Sequence, residues 1–371
     1  MSDFENLNFE EAEAKIVDTL KETDRKCPSC AGVMDFDPNT GGLSCPFCGH
    51  TEEIQPMQQT TSSAEELDFN VAQNIENCDW GMETKTVLCK SCGAETIYDV
   101  LQTSAACPFC GSNQVMQANT EQTIAPGGII PFKITDKEAA EHFHKWIRKK
   151  WFCPKLAKES AKPTSFKGIY LPYWTFDTNT LSEYMAKYGI DHTTTGKDGK
   201  THTVTNWHST SGMYHEFFDD ELVLASKNHD AYMLQGVEPF STAKNISYKP
   251  EYVAGFLSER YSIGLKDAWE IAKNAISGKL KNNITNKIRV EKHADHVKEL
   301  RITPVFSDIK YKYLLLPIWV SNFKYNDKVY QFMVNGETGK VSGKTPISIA
   351  KVILTIFIAL VVLGGIYYLS N

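Results

Sequence analysis

The 371-residue chain lacks the Gly-x4-Gly-Lys-Ser/Thr loop that cradles nucleotide phosphates. Its nearest approach starts at Gly189 and ends at Lys197, with the wrong gap and no hydroxyl after the lysine to hold magnesium, so an ATPase has no support. A Gly-x-Ser-x-Gly elbow and a Gly-x-Gly-x-x-Gly dinucleotide fingerprint are also missing. His215-Glu216-Phe217-Phe218-Asp219 begins like a zinc-protease helix but has Asp where the second His is needed. No basic residue stands between Cys27 and Cys48, and only Lys90 between Cys89 and Cys110, so these segments lack the charge on which affinity for phosphate backbones depends. No amino-terminal signal peptide is read either: residues 1–24 are acidic and predict an amphipathic helix with Phe9, Ala12, Ile16 and Leu20 on one side.

What the chain does have is one cysteine pattern written twice. Cys27-x2-Cys30-x14-Cys45-x2-Cys48 recurs as Cys89-x2-Cys92-x14-Cys107-x2-Cys110, using eight of the ten cysteines. Two Cys-x-x-Cys turns, brought together by the intervening loop, present four thiolates to one ion in a tetrahedron. The copies also share Ser29 with Ser91, Asp37 with Asp99, and the closing Cys-Pro-Phe-Cys-Gly at 45–49 and 107–111. A duplicated zinc ribbon follows, at 25–52 and 85–115, with two structural Zn2+ ions. The glycine after the last cysteine is read as relieving a tight approach of backbone to sulfur. A reducing cytoplasm, where thiolates keep their metal, fits better than a disulfide framework. Cys78 is read as an unpaired thiol.

Residues 347–369 are nearly all apolar, enough helix to cover about 35 Å of a bilayer core of about 30 Å. They predict a transmembrane helix inserted as a carboxy-terminal anchor. Lys340, Lys344 and Lys351 on its amino-terminal side place the bulk of the chain in the cytoplasm, with Lys351 snorkelling to the headgroups and Tyr367 and Tyr368 at the far interface. Up to residue 126 there are 21 acidic against 6 basic side chains, and beyond it 24 against 33, so the half next to the membrane is the basic one.

Residues 53–84 read as a polar linker that lets the ribbons move separately. Residues 127–345 predict an α+β domain with an antiparallel sheet and an internal repeat. A capping box at Thr135 and Glu138 opens a helix with Ala139, Phe143, Trp146, Ile147 and Trp151 on one face, and a second helix carries Leu265, Ala268, Trp269, Ala272 and Ile276. Each precedes a Pro-x-Trp strand, at Pro172 and at Pro317. Asp198-Gly199 and Asn335-Gly336 mark turns. His192, His202, His208 and His215 lie in a Thr-rich hairpin whose spacing enforces no coordination, so they read as solvated strand residues.

Together the paired ribbons, the Tyr170-Leu171-Pro172-Tyr173-Trp174 run, the 251–256 run and the Asn335-Gly336-Glu337-Thr338-Gly339-Lys340 turn before an apolar span resemble one bacterial family. Its members are membrane-anchored double zinc-ribbon proteins, carrying the label TFIIB-type zinc ribbon or primosomal helicase-like. The helicase motor itself is missing here. The resemblance implies a role beside a flotillin-like membrane protein, recruiting phage-shock protein A during envelope stress. The resulting expectation is a non-enzymatic adaptor with membrane lipid and protein partners. The alternatives are a membrane-tethered nucleic-acid binder, which the acidity of the ribbons argues against, and rubredoxin-like electron transfer by iron.

Overall fold

The structure, a computed structural model, describes residues 26–32, 34–54, 63–71, 84–89, 94–99, 109, 115–117, 126–159, 166–195, 201–227, 229–259, 261–325 and 328–370. The helix expected at 1–24, the thiol of Cys78 and the turn at Asp198-Gly199 lie outside them. The strands are β1 (Asp35–Asp37), β2 (Gly42–Ser44), β3 (Thr51–Glu52), β4 (Leu67–Asp68), β5 (Thr84–Cys89), β6 (Glu95–Asp99), β7 (Val115–Gln117), β8 (Gly128–Ile129), β9 (Lys167–Thr195), β10 (Thr201–Leu224), β11 (Ile246–Ser247), β12 (Leu257–Glu259), β13 (His296–Tyr325), β14 (Lys328–Asn335) and β15 (Val341–Gly343). The helices are α1 (Asp136–Arg148), α2 (Lys155–Glu159), α3 (Ala231–Val237), α4 (Leu265–Lys292) and α5 (Ile349–Ser370). The fold is mixed α+β: β1 to β3 form a small antiparallel sheet, and the other strands join one large sheet, antiparallel except where β8 meets β13 and β12 meets β9.

The body is two matching runs of short strand, helix, long strand and hairpin partner: β8-α1-β9-β10 and β12-α4-β13-β14. β9 and β13 lie antiparallel at the centre, and each short strand pairs parallel with the other run's long strand. The Pro-x-Trp residues exchange in the same way. Trp174 Nε1 donates to Ile263 O at 2.9 Å, just before α4, and Trp319 Nε1 donates to Ile134 O at 2.8 Å, just before α1. Proline inside a central strand would normally cost a ladder bond. Here Pro172 O accepts from Ala225 N and Pro317 O accepts from Gly336 N, so each ring nitrogen faces the outer edge of its strand. That edge is where β9 changes partner from β12 to β10, and β13 from β8 to β14, so no ladder bond is lost.

α1 starts where the capping box predicts, with both reciprocal bonds made, and buries Ala139, Ala140, Phe143 and Ile147. Trp151 does not continue that face; the helix stops at Arg148 and Trp151 is exposed. α4 runs far past its predicted core, burying Ala268, Trp269, Ala272, Ile276, Leu280, Ile284 and Ile288 at steps of three and four. It packs along an arm made of β9, β10 and β13. At 29 residues β9 would span about 95 Å if straight, but both its neighbours bulge beside Asp177 to Asn179 and bend it.

Two expectations about the amino-terminal third change. Within the stretch read as a linker, β4 pairs with β13, Ala64 N donates to Asn245 Oδ1 at 2.7 Å, and Phe69 packs on Phe176 and Trp269. The apolar Leu67 and Phe69, set among polar residues, make this segment a strand. The first cysteine module does not hang free either: Phe36 lies against Tyr252 and Phe256, and its N–H donates to Ala254 O.

The Asn335 turn is a clasp. Asn335 Oδ1 accepts from Glu337 N and Thr338 N, while its Nδ2 donates to Val237 O and Pro239 O. Glu337 accepts from Lys133 Nζ at 2.8 Å and Ser241 N at 2.9 Å. Burial pushes the pKa of this carboxyl up, but Lys133 and Ser241 outweigh it and hold it below its ordinary value. A depressed carboxylate stabilises the fold above its unfolded value, about 4.3, and the contribution is lost as pH falls through the folded value. Glu337→Gln is therefore expected to lower the thermal midpoint at pH 7, with the gap to wild type closing below about pH 4. A gap independent of pH would contradict the role of the charge.

α5 is long and apolar enough to cross a membrane over Ile349–Tyr367, and none of that window is buried against the protein. Lys351, at its start, donates to Trp151 O and Cys153 O, each at 2.9 Å.

Candidate metal centre

The first module brings all four predicted sulfurs together: one ligand atom from each of Cys27, Cys30, Cys45 and Cys48 lies within 4.8 Å of the others. Two turns of one design do this. In each, the N–H of the first cysteine donates to the carbonyl five residues on (Cys27 to Gly32, Cys45 to His50). Its own carbonyl accepts from the residue after the second cysteine (Ala31 to Cys27, Gly49 to Cys45). That residue must take a left-handed conformation, with φ +58° at Ala31 and +75° at Gly49. A Cβ on Gly49 would meet nothing within 4 Å, so the glycine serves its dihedral angle and not the expected close approach to sulfur. Ala31 adopts the same angle at a cost of roughly 1 kcal/mol. Ala31→Gly is expected to raise the stability of the module by about that much, read as a higher denaturant midpoint for metal release; a lower midpoint would contradict the strain.

Cys27 and Cys45 are buried and Cys30 and Cys48 exposed, one of each kind per turn. Cys27 Sγ is 3.4 Å from Cys48 Sγ, and Cys30 Sγ is 3.5 Å from Cys45 Sγ. Sulfurs at about 2.3 Å from a tetrahedral ion stand about 3.8 Å apart, so the group fits an ion of zinc's size with a small expansion. Burial opposes ionisation of Cys27, but the backbone N–H groups of Ser29 and Cys30 and the thiols of Cys48 and Cys30 outweigh it, bringing its pKa to about 6. Cys48 is drawn down by the His50 N–H but pushed further up by the thiols of Cys27 and Cys30, to about 12. Cys30 is also raised, the Gly32 N–H being outweighed chiefly by Cys45. One thiolate forms readily and repels the next. Only a cation among them makes four thiolates compatible, which is the chemistry of a metal centre.

Of the second set, Cys92, Cys107 and Cys110 lie outside the described residues, as does the side chain of Cys89 in β5. Its frame is visible. β5 pairs with β6 and β7, and β6 joins the large sheet through β12. Phe109 is buried, its ring 4.5 Å from that of His229, and its carbonyl accepts from Gln331 Nε2. His229 Nε2 in turn lies 2.5 Å from Glu259 Oε2, and Glu259 also accepts from Ser226. Phe47, which occupies the same place in the first module, is 77% exposed.

His192, His202, His208 and His215 are spread along the β9–β10 hairpin, all exposed, and none belongs to a ligand group among the described residues. His208 stacks on Tyr188. Sequence reasoning missed a second cluster at the bend of the arm, Asp177, Asp219 and Asp220, whose carboxylates lie within 4.8 Å of one another. Lys312 supplies its cation: Nζ is 2.7 Å from Asp220, 3.5 Å from Glu66 and 3.8 Å from Asp177. No local motif could reveal it, because its members are brought together by the pairing of β9, β10, β13 and β4.

The chain is similar to the "Uncharacterized protein YdjG" of Bacillus subtilis (strain 168), 29% identical over 333 residues that cover 88% of this chain and 91% of that protein. No protein-family model matches the chain. No solved structure matches it.

Proposed function

We propose that the protein is a non-enzymatic, membrane-anchored adaptor. Each four-cysteine module is a zinc ribbon holding one structural Zn2+, α5 spans the bilayer, and the rest of the chain works at the cytoplasmic face. The observation that carries this reading is the unequal use of two equivalent aromatics. Phe109 is spent inside, against His229, whereas Phe47 stands 77% exposed on a turn that the metal would stiffen. A rigid, exposed aromatic is the kind of anchor that dominates protein interfaces, and Phe36 already holds its module on the body, so little ordering remains to oppose binding. The lysines at 340, 344 and 351 support the cytoplasmic orientation. The family resemblance supports phage-shock protein A and a flotillin-like protein as the partners.

The reading is tested by crosslinking intact membranes and capturing the chain. Wild type is expected to bring down phage-shock protein A, and Phe47→Ala to bring down about tenfold less, the loss of one interface anchor. Equal capture by Phe47→Ala and by a Cys45→Ser/Cys107→Ser double variant would overturn it.

A further inference from the structure

We propose that the turn between α1 and α2 is a binding site for anionic lipid headgroups, a reading that rests on α5 spanning the bilayer. The turn is bolted to the first residues of α5. Ser348 N donates to Phe152 O at 2.8 Å, Lys351 Nζ donates to Trp151 O and Cys153 O, and the same ammonium lies 5.7 Å from the centre of the Trp151 ring. Wherever α5 enters the bilayer, this turn stands at the same level. Its apolar side chains are turned outward: Trp151 is 63%, Phe152 41% and Leu156 71% exposed, beside Ile347 and Ile349 at 67% and 75%. Five large apolar groups around the mouth of one span are what an interfacial belt requires, with the indole at headgroup depth.

The charge is mostly positive, with Glu141 3.8 Å from Lys145 and Glu159 ending α2 as the flanking acids. Residues 145–158 contain Lys145, Arg148, Lys149, Lys150, Lys155 and Lys158 and no acidic residue. Lys150 lies 4.6 Å over the Trp146 ring and Lys158 donates to Arg148 O, while Arg148, Lys149 and Lys155 are exposed. Exposed arginine and lysine beside exposed aromatics suit a phosphate-rich surface, and fixation to α5 makes that surface the leaflet. Single-stranded nucleic acid would suit the same chemistry, but nothing would then explain why the patch is fixed to the start of the apolar helix. The site adds headgroup contacts beside Lys351, two of whose three N–H donors are spent on Trp151 O and Cys153 O.

The full chain is reconstituted in vesicles of phosphatidylcholine alone or with one third phosphatidylglycerol, and hydrogen–deuterium exchange is followed at 149–156. Exchange is expected to slow about tenfold with phosphatidylglycerol, and the protection to vanish in about 0.5 M salt. An Arg148→Glu/Lys149→Glu/Lys155→Glu variant, altered only at exposed positions, is expected to lose the protection while resisting carbonate extraction. Equal exchange in the two vesicles, with the chain still resisting carbonate, would overturn the lipid site and leave the anchor standing. Extraction by carbonate would overturn the anchor and the site with it. Protection that needs an added oligonucleotide would assign the patch to nucleic acid instead.

Discussion

Cys45→Ser is expected to lower bound zinc from two ions per chain to one, and to destabilise the body as well as the module. The sulfur of Cys45 is buried and sits 3.5 Å from that of Cys30, so the substitution removes an inner member of the four-sulfur group. Binding is worth about 10 to 16 kcal/mol in isolated zinc fingers, as much as or more than the whole stability of an ordinary domain, about 5 to 15 kcal/mol. A module this small has nothing else of that size to hold it. The damage spreads because Cys27, Met34, Phe36, Leu43 and Cys45 share one hydrophobic cluster with Tyr170, Trp174 and Trp319. Loss of the metal is therefore expected to withdraw Phe36 from Tyr252 and Phe256, which its ring now touches. Metal analysis and thermal unfolding of the full chain in detergent check both parts. Two ions retained would end the ligand assignment, and an unchanged thermal midpoint would end the claim that the module braces the body.

Lys312→Met is expected to cost about 3 to 5 kcal/mol near pH 7, the usual penalty for leaving buried charge without its partner. Lys312 lies with its side chain almost wholly covered at the bend of the arm, where Asp220, at φ +50°, donates its N–H to Asp177 Oδ1. Burial lowers the pKa of Lys312, but the hydrogen bond and charge of Asp220, then Asp177 and Glu66, raise it by more. Its stabilising contribution is thus fully present below the unfolded lysine value and fades only as pH rises past the folded one. Asp177 is raised, first by burial and then by Asp220 and Glu66, against the pull of the Asp220 N–H and Lys312. A raised carboxyl favours the fold when protonated, so the deficit of the methionine variant is expected to shrink as pH falls through the carboxylate range. Adding Asp220→Asn is expected to restore part of the loss at pH 7, and strictly additive effects of the two substitutions would contradict the pairing.

What could be read from the residues alone follows the range of the forces involved. The thiolate set at 27–48 was legible because metal geometry constrains spacing within one short segment, and α1 because its capping box is made by Thr135 and Glu138 alone. The hairpin signal at Asp198-Gly199 fell where β9 and β10 do pair across it, but nothing local announced strands of 29 and 24 residues. The helix α4 that packs along them belongs to a distant part of the chain. The stretch at 63–71 was misjudged because its polarity suits a linker, while Leu67 and Phe69 find their partners in β13, Phe176 and Trp269. Within the α1 periodicity Trp151 reads as one more core residue, and it became visible as a surface group only once the helix was seen to stop three residues earlier, at Arg148.

The central claim is that a metal-stiffened surface on a membrane-held chain recruits a protein partner. The most direct measurement is flotation of purified phage-shock protein A with vesicles carrying the full chain at two zinc ions per copy. The account predicts saturable co-flotation that falls about tenfold with Phe47→Ala and disappears when a chelator strips the zinc. Flotation of the partner that is absent from the start, or that survives both treatments unchanged, would contradict it.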